Sequence, residues 1–112
     1  MSYSVKLMTD DLMLEPEEAK EIFDAFFEDA YPLLQDGIAA MQEGDRKGSS
    51  RKMHALKGSA MNLRMELLGN LAAQAEKNEA LSEPELSELF AALLVELKAV
   101  EESVSAFYAE NR

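Results

Sequence analysis

The chain has 112 residues and 47% of them are hydrophobic, so it suits one domain with a modest core and is too apolar for a disordered segment. It has no cysteine, which excludes a disulfide framework and a thiolate metal site. Its formal net charge of −11 argues against general binding to nucleic acid, which needs a cationic surface. The short apolar runs and the lack of a signal-peptide pattern favour a cytoplasmic protein without a membrane span.

Amphipathic helical patterns follow one another from the N-terminus. The mildly amphipathic segment from Val5 to Met13 predicts a short first helix. The second should begin at Pro16, because proline suits a first helical position. Its apolar stripe resumes in phase after Pro32, which should therefore kink the helix without ending it. The helices are predicted at about residues 3–13, 16–43, 46–63, 66–78 and 83–109.

Capping patterns support the later helices. Asp45 is a good N-cap for the third helix, and Ser82 with Glu85 forms the S-x-x-E capping box ahead of the last. Amphipathic helices with short connections favour antiparallel packing. The sequence therefore predicts an all-α fold, an antiparallel four-helix bundle with a short additional N-terminal helix, in a single domain over residues 1–112.

Positive charge is concentrated in residues 45–64, which carry a charge of +5, whereas the other 92 residues carry −16. The cations of this basic island are Arg46, Lys47, Arg51, Lys52, Lys57 and Arg64. Such an island in an acidic protein indicates an acidic partner or a phosphate, although a merely solvated helix face would look the same.

The only histidine, His54, lies within this island and faces away from the core. On a helical wheel of about 100° per residue, the core stripe contains Ser49, Met53, Leu56, Ala60 and Leu63. The outer stripe around His54 contains Lys47, Ser50, Arg51, Lys57, Gly58 and Met61.

Two neighbours of His54 indicate a function. Gly58 costs about 1 kcal/mol relative to alanine inside a helix, and its missing side chain leaves the imidazole open. Lys57 can place an ammonium beside whatever the imidazole carries. These features suit a nucleophile that accepts an anion. An ordinary surface histidine and a packing glycine are the alternative; a metal site lacks a second histidine or cysteine, and a hydrolase lacks a nucleophile elbow.

The run HALKGSAMNL at residues 54–63 resembles the H-x-L-K-G-S-A-x-x-L signature of histidine phosphotransfer domains, which serve multistep phosphorelays. The resemblance extends from about residue 16 to the end of the chain, because a long proline-containing helix precedes the signature and two helices follow it. Many relatives have glycine where this chain has Arg64, so Arg64 must either accept some backbone strain or shift the turn.

The resemblance implies roles for individual residues. His54 would be phosphorylated, attacking through Nε2, while Lys57 would stabilise the phosphoryl oxygens and Gly58 would leave room for the partner. Glu76, or Gln74 as the weaker alternative, would accept a hydrogen bond from Nδ1 and fix the tautomer. A solvated carboxylate at a helix end remains the other interpretation of Glu76.

The resemblance also implies partners. These would be receiver domains of response regulators, with a hybrid histidine kinase as a further alternative, docking on Lys47, Ser50, Arg51 and Met61. Met61 could equally be a tolerated exposed residue. The chain would act as a monomeric phosphoryl carrier with no autokinase activity and no cofactor or metal of its own, and Mg²⁺ would belong to the receiver. A pure interaction adaptor remains a rival, and a module of a larger hybrid kinase remains an alternative to the free-standing protein that we expect.

Overall fold

The computed structural model describes residues 3–111, and in that range all regular structure is α-helical. The helices are α1 (Val5–Leu12), α2 (Pro16–Gln42), α3 (Arg46–Asn62), α4 (Glu66–Glu76) and α5 (Glu83–Glu110). The all-helical fold class is thus confirmed, and the helix ends differ from the predicted ones by at most two residues. None of the helices within this range is both long and apolar enough to cross a membrane.

The four longer helices pack around one apolar core. Each of α2, α3 and α4 packs against the next helix along the chain, and α5 returns to pack against α2. The short α1 covers α2 and α5 and adds Met8 to the core. The resulting bundle is elongated, about 45 × 20 × 19 Å. The site described below lies on the α3–α4 side of this bundle.

The local signals in the sequence act as expected at the helix starts. Glu15 and Glu18 form a capping box ahead of Pro16, and Ser82 and Glu85 form the predicted one ahead of α5. Each box satisfies backbone N–H groups that a helix start would otherwise leave without a partner.

The long helix α2 continues through Pro32. Proline has no N–H to donate to the carbonyl oxygen of Glu28, one turn earlier, so the helix loses one internal hydrogen bond there. The adjacent Tyr31 donates its hydroxyl to Glu101 of α5 at 2.8 Å. The apolar stripe on both sides of Pro32 holds the helix against the core.

The turn between α3 and α4 has Arg64 at the position where many relatives have glycine. Arg64 adopts a left-handed backbone with φ of 61°, which costs a non-glycine residue about 1 kcal/mol. Its guanidinium Nε lies 2.6 Å from a carboxylate oxygen of Asp11, in the last turn of α1. Arg64 therefore accepts the strain instead of shifting the turn, and its side chain ties the turn to α1.

Candidate functional site

Three predicted site residues meet across the interface of α3 and α4. His54 lies at the middle of the outer side of α3, with its side chain 68% exposed. Its ring Nδ1 lies 2.8 Å from Oε2 of Glu76, the last residue of α4. The ammonium of Lys57 lies 2.7 Å from Oε1 of the same carboxylate. One carboxylate therefore contacts both the imidazole and the ammonium.

The local fold accounts for this meeting. Asp45 caps α3 by accepting a hydrogen bond from the backbone N–H of Gly48 at 2.8 Å. His54 and Lys57 are three residues apart and so are neighbours on one side of the helix. The packing of α4 against α3 then brings Glu76 beside both of them.

The surroundings of Glu76 keep its carboxylate ionised. Hydrogen bonds from Lys57 and, next in size, from His54 lower the pKa of Glu76 below its ordinary value, against the opposing effect of burial. An ionised carboxylate can only accept hydrogen bonds. A neutral imidazole that donates to it must carry its proton on Nδ1. Nε2 is then unprotonated, and its lone pair is free to attack.

The space beside the imidazole is open on the Gly58 side. A Cβ added at Gly58 would meet no atom within 4 Å outside its own helix backbone and chain neighbours. At Gly37, Gly48 and Gly69 an added Cβ would come within 3 Å of a neighbouring side chain. The absent side chain of Gly58 is thus not explained by packing inside the protein.

Two cations of the basic island remain unpaired near the site. Lys47 and Arg51 lie one turn apart on the exposed side of α3 that also carries His54. Neither forms an ion pair with any other residue in the range 3–111. Both charges are available to an anionic partner.

Ser50 and Met61, which we predicted to be docking residues, have contacts with α4 in the structure. Ser50 is half-buried, and its hydroxyl donates to the backbone carbonyl oxygen of Glu76 at 2.7 Å. Met61 is also half-buried, and its side chain occupies the space over Gly69. A wheel drawn for α3 alone could not reveal these contacts, because they depend on where α4 packs.

Gln74 was the weaker candidate for the partner of the histidine ring. It lies on the exposed side of α4, and it makes no side-chain hydrogen bond to His54 among the described residues. The structure thus brings Glu76, and not Gln74, to Nδ1.

Sequence reasoning missed a pair of residues that holds the turn after α4. Arg46 donates from Nη1 to the carbonyl oxygens of Asn78 at 2.7 Å and Leu81 at 2.9 Å. Asn78 is only 2% exposed and donates from its amide to the carbonyl oxygen of Arg46 at 3.2 Å. Arg46 had been counted only as a charge. An asparagine at the end of a predicted helix, a residue type that can bond nearby backbone groups, was the one signal in the sequence that could have indicated this pair.

The arrangement supplies a nucleophilic nitrogen at an open surface, with a carboxylate behind the ring and an ammonium beside it. Within residues 3–111, no three histidine, cysteine, aspartate or glutamate side chains are grouped so that they could hold a metal ion.

Comparison of the chain with models of protein families identifies a related family. A family model described as the Hpt domain matches residues 21–103, a range that includes all of α3 and α4 and most of α2 and α5. Searches of curated proteins and of solved structures found no match.

Proposed function

This chain belongs to the Hpt domain family, and on that basis we propose that His54 accepts a phosphoryl group from one receiver domain and passes it to another. Hpt domains act in histidine phosphotransfer and are phosphoryl carriers, not catalysts in themselves. The observation that carries the assignment of His54 is the 2.8 Å contact from its Nδ1 to Glu76. This contact directs the unprotonated Nε2 away from α4.

The proposed step moves one phosphoryl group between a carboxylate and a ring nitrogen. The lone pair of Nε2 on His54 attacks the phosphorus of an aspartyl phosphate, the bond from phosphorus to the aspartyl oxygen breaks, and the aspartate leaves as a carboxylate. The ring retains its proton on Nδ1 and becomes positively charged. Glu76 stabilises that charge through the existing hydrogen bond. Transfer to the next receiver is the same step in reverse.

Lys57 and Gly58 have separate parts in this proposal. The ammonium of Lys57 has three N–H donors and uses one on Glu76, so others can donate to phosphoryl oxygens on the neighbouring ring. Gly58 leaves the space that the active site of a receiver needs in order to reach His54.

The proposed partner surface surrounds His54. Lys47 and Arg51 would attract the acidic pocket of a receiver domain, which also supplies Mg²⁺ and most of the catalytic groups. Because each partner must leave after transfer, we expect a small, transient interface. We propose that the protein acts as a cytoplasmic monomer, and that a hybrid histidine kinase is a second type of partner.

Label transfer tests this function. The protein is incubated with radiolabelled phosphorylated receiver domains and Mg²⁺, and acid-labile, base-stable label is followed on this chain. Wild type should take up label, whereas His54→Gln should take up none while retaining its helicity. If wild type takes no label from any cognate receiver, or if His54→Gln takes as much, the carrier function fails and a pure adaptor is favoured.

A further inference from the structure

The backbone of Glu76 is held from α3, as its carboxylate is. α4 has only 11 residues and ends at Glu76, and the last carbonyl oxygens of a helix have no donor within it. The hydroxyl of Ser50 supplies one by donating to the carbonyl oxygen of Glu76 at 2.7 Å. Ser50 lies one turn before His54, so one side of α3 contacts both the backbone and the side chain of Glu76.

We propose that Ser50 is a positioning residue for His54. By fixing the backbone of Glu76, it holds the carboxylate against Nδ1 and so keeps the imidazole in the tautomer whose Nε2 is free. Its importance for phosphotransfer rests on the function proposed above. Its effect on the tautomer does not, because that effect exists in the unphosphorylated protein.

The other contacts near this helix end do not replace the hydroxyl. The guanidinium of Arg46 holds the carbonyl oxygens of Asn78 and Leu81, which lie in the turn beyond α4. Lys57 contacts the carboxylate of Glu76 and not its backbone. A lysine ammonium on its flexible stem can follow a moving carboxylate and so does not fix its place. Without the hydroxyl of Ser50, the last turn of α4 can fray and take the carboxylate away from Nδ1.

Ser50 is thus not the docking residue that the resemblance implied. A hydroxyl has one O–H to donate, and that of Ser50 is already used on Glu76. The residue therefore acts through Glu76 on His54, and a partner does not need to touch it.

The tautomer of His54 gives a direct test. His54 is the only histidine of the chain, so protein with isotope-labelled histidine gives NMR signals from one ring. The proportions of the two tautomers are measured in mildly alkaline solution, where imidazole is neutral. The variants are Ser50→Ala, Ser50→Thr and, as a matched control, Ser103→Ala, which removes a hydroxyl that donates to the carbonyl oxygen of Ala99 in α5.

We expect mainly the Nδ1–H tautomer in the wild type. Ser50→Ala should shift the tautomer ratio toward Nε2–H by about two- to tenfold, the change in population that one hydrogen bond produces. Ser50→Thr retains a hydroxyl and should restore the wild-type ratio, and Ser103→Ala should not change it. The initial rate of phosphoryl uptake should fall in Ser50→Ala alone, in proportion to the fraction of the Nδ1–H tautomer that is lost.

The outcomes separate the two proposals. If Ser50→Ala lowers the melting temperature but leaves the tautomer ratio as in the wild type, Ser50 only stabilises the fold and the positioning role is overturned. If the tautomer ratio shifts in Ser50→Ala and returns in Ser50→Thr, the positioning role stands. Should the wild type then take up no phosphoryl group, the proposed function fails and the positioning role is unaffected.

Discussion

Glu76 and His54 meet across the α3–α4 interface, with Oε2 of the carboxylate 2.8 Å from Nδ1 of the ring. Glu76 is largely shielded from solvent, with its side chain 21% exposed, whereas the side chain of His54 is 68% exposed. The carboxylate thus holds the ring from its sheltered side, and the reactive nitrogen lies on the side that a partner can approach.

The hydrogen bond to Nδ1 can be separated from the charge of Glu76. Glu76→Ala removes both and should lower the rate of phosphoryl uptake by about tenfold or more, the usual size of an effect on a residue that orients a reactive group. Glu76→Gln keeps an oxygen that accepts from Nδ1 and should lose less. Initial rates of label uptake from a phosphorylated receiver measure both.

Gln74→Ala provides the comparison on the same helix. Because the side chain of Gln74 is exposed, this variant should accept label at the wild-type rate. Wild-type rates in Glu76→Ala, or a slow rate in Gln74→Ala, would show that Glu76 does not orient the ring.

The ion pair between Lys57 and Glu76 predicts a pH dependence of stability. Lys57, and after it His54, holds the pKa of Glu76 below the ordinary 4.5 in the folded protein. The stabilisation by ionised Glu76 is therefore complete above pH 4.5. It is lost as the pH falls from there through the pKa of Glu76 in the folded protein, because the unfolded chain takes up its proton at the higher pH. In a His54→Gln background Lys57 remains beside Glu76, so it should still lower the pKa of Glu76 and produce this pH dependence of stability.

Unfolding by urea at several pH values measures this pH dependence of stability. The free energy of unfolding of His54→Gln should exceed that of His54→Gln with Glu76→Gln at neutral pH. The difference between the two should shrink as the solution becomes more acid than pH 4.5. A difference that grows toward acid pH would mean that the pKa of Glu76 is raised by folding.

Gly58 should show opposite effects on stability and function. Gly58→Ala should raise the free energy of unfolding by about 0.5–1 kcal/mol, because alanine is the better helix former and the new Cβ has room. The same methyl group lies beside His54 and should slow phosphoryl uptake from a receiver. Urea unfolding and label uptake on one preparation test both effects.

Gly48→Ala is the contrasting variant on the same helix. There the added Cβ would clash with the carboxylate of Asp45 and disturb the cap of α3. Loss of the cap costs about 1 kcal/mol, so Gly48→Ala should not show the gain in stability expected of Gly58→Ala. If Gly58→Ala were destabilising, the open space beside His54 would be misassigned; if it took up label at the wild-type rate, Gly58 would have no role in access.

The turn at Arg64 predicts an order among three variants. Arg64→Ala retains the left-handed strain and loses the ion pair to Asp11, so it should be the least stable. Arg64→Gly also loses the ion pair but relieves the strain. Its free energy of unfolding should exceed that of Arg64→Ala by about 1 kcal/mol. Wild type should lie close to Arg64→Gly, since an exposed ion pair contributes up to about 1 kcal/mol. Equal stability of the alanine and glycine variants would contradict a strained turn.

The sequence predicted the elements of this fold because its signals are local. The apolar stripe of α3, the N-cap Asp45 and the capping box at Ser82 each act within one or two helical turns, and the structure has all of them. The outward position of His54 followed from the same periodicity.

The contacts between helices were harder to predict. The contact between His54 and Glu76 came from the family resemblance, because no periodicity within α3 or α4 fixes how far one helix slides along the other. The contact of Ser50 with Glu76 and the Arg46–Asn78 pair depend on that register as well. The rotation of α4 likewise decided that Glu76, and not Gln74, lies beside the ring.

The position of the phosphoryl group on His54 tests the central claim most directly. Because the chain has one histidine, NMR of protein with isotope-labelled histidine, recorded before and after incubation with a phosphorylated receiver and Mg²⁺, reports on a single ring. We predict that phosphorus becomes bonded to Nε2 while Nδ1 retains its proton. A ring that stays unmodified while the receiver loses its phosphoryl group, or a phosphoryl group on Nδ1, would contradict this account.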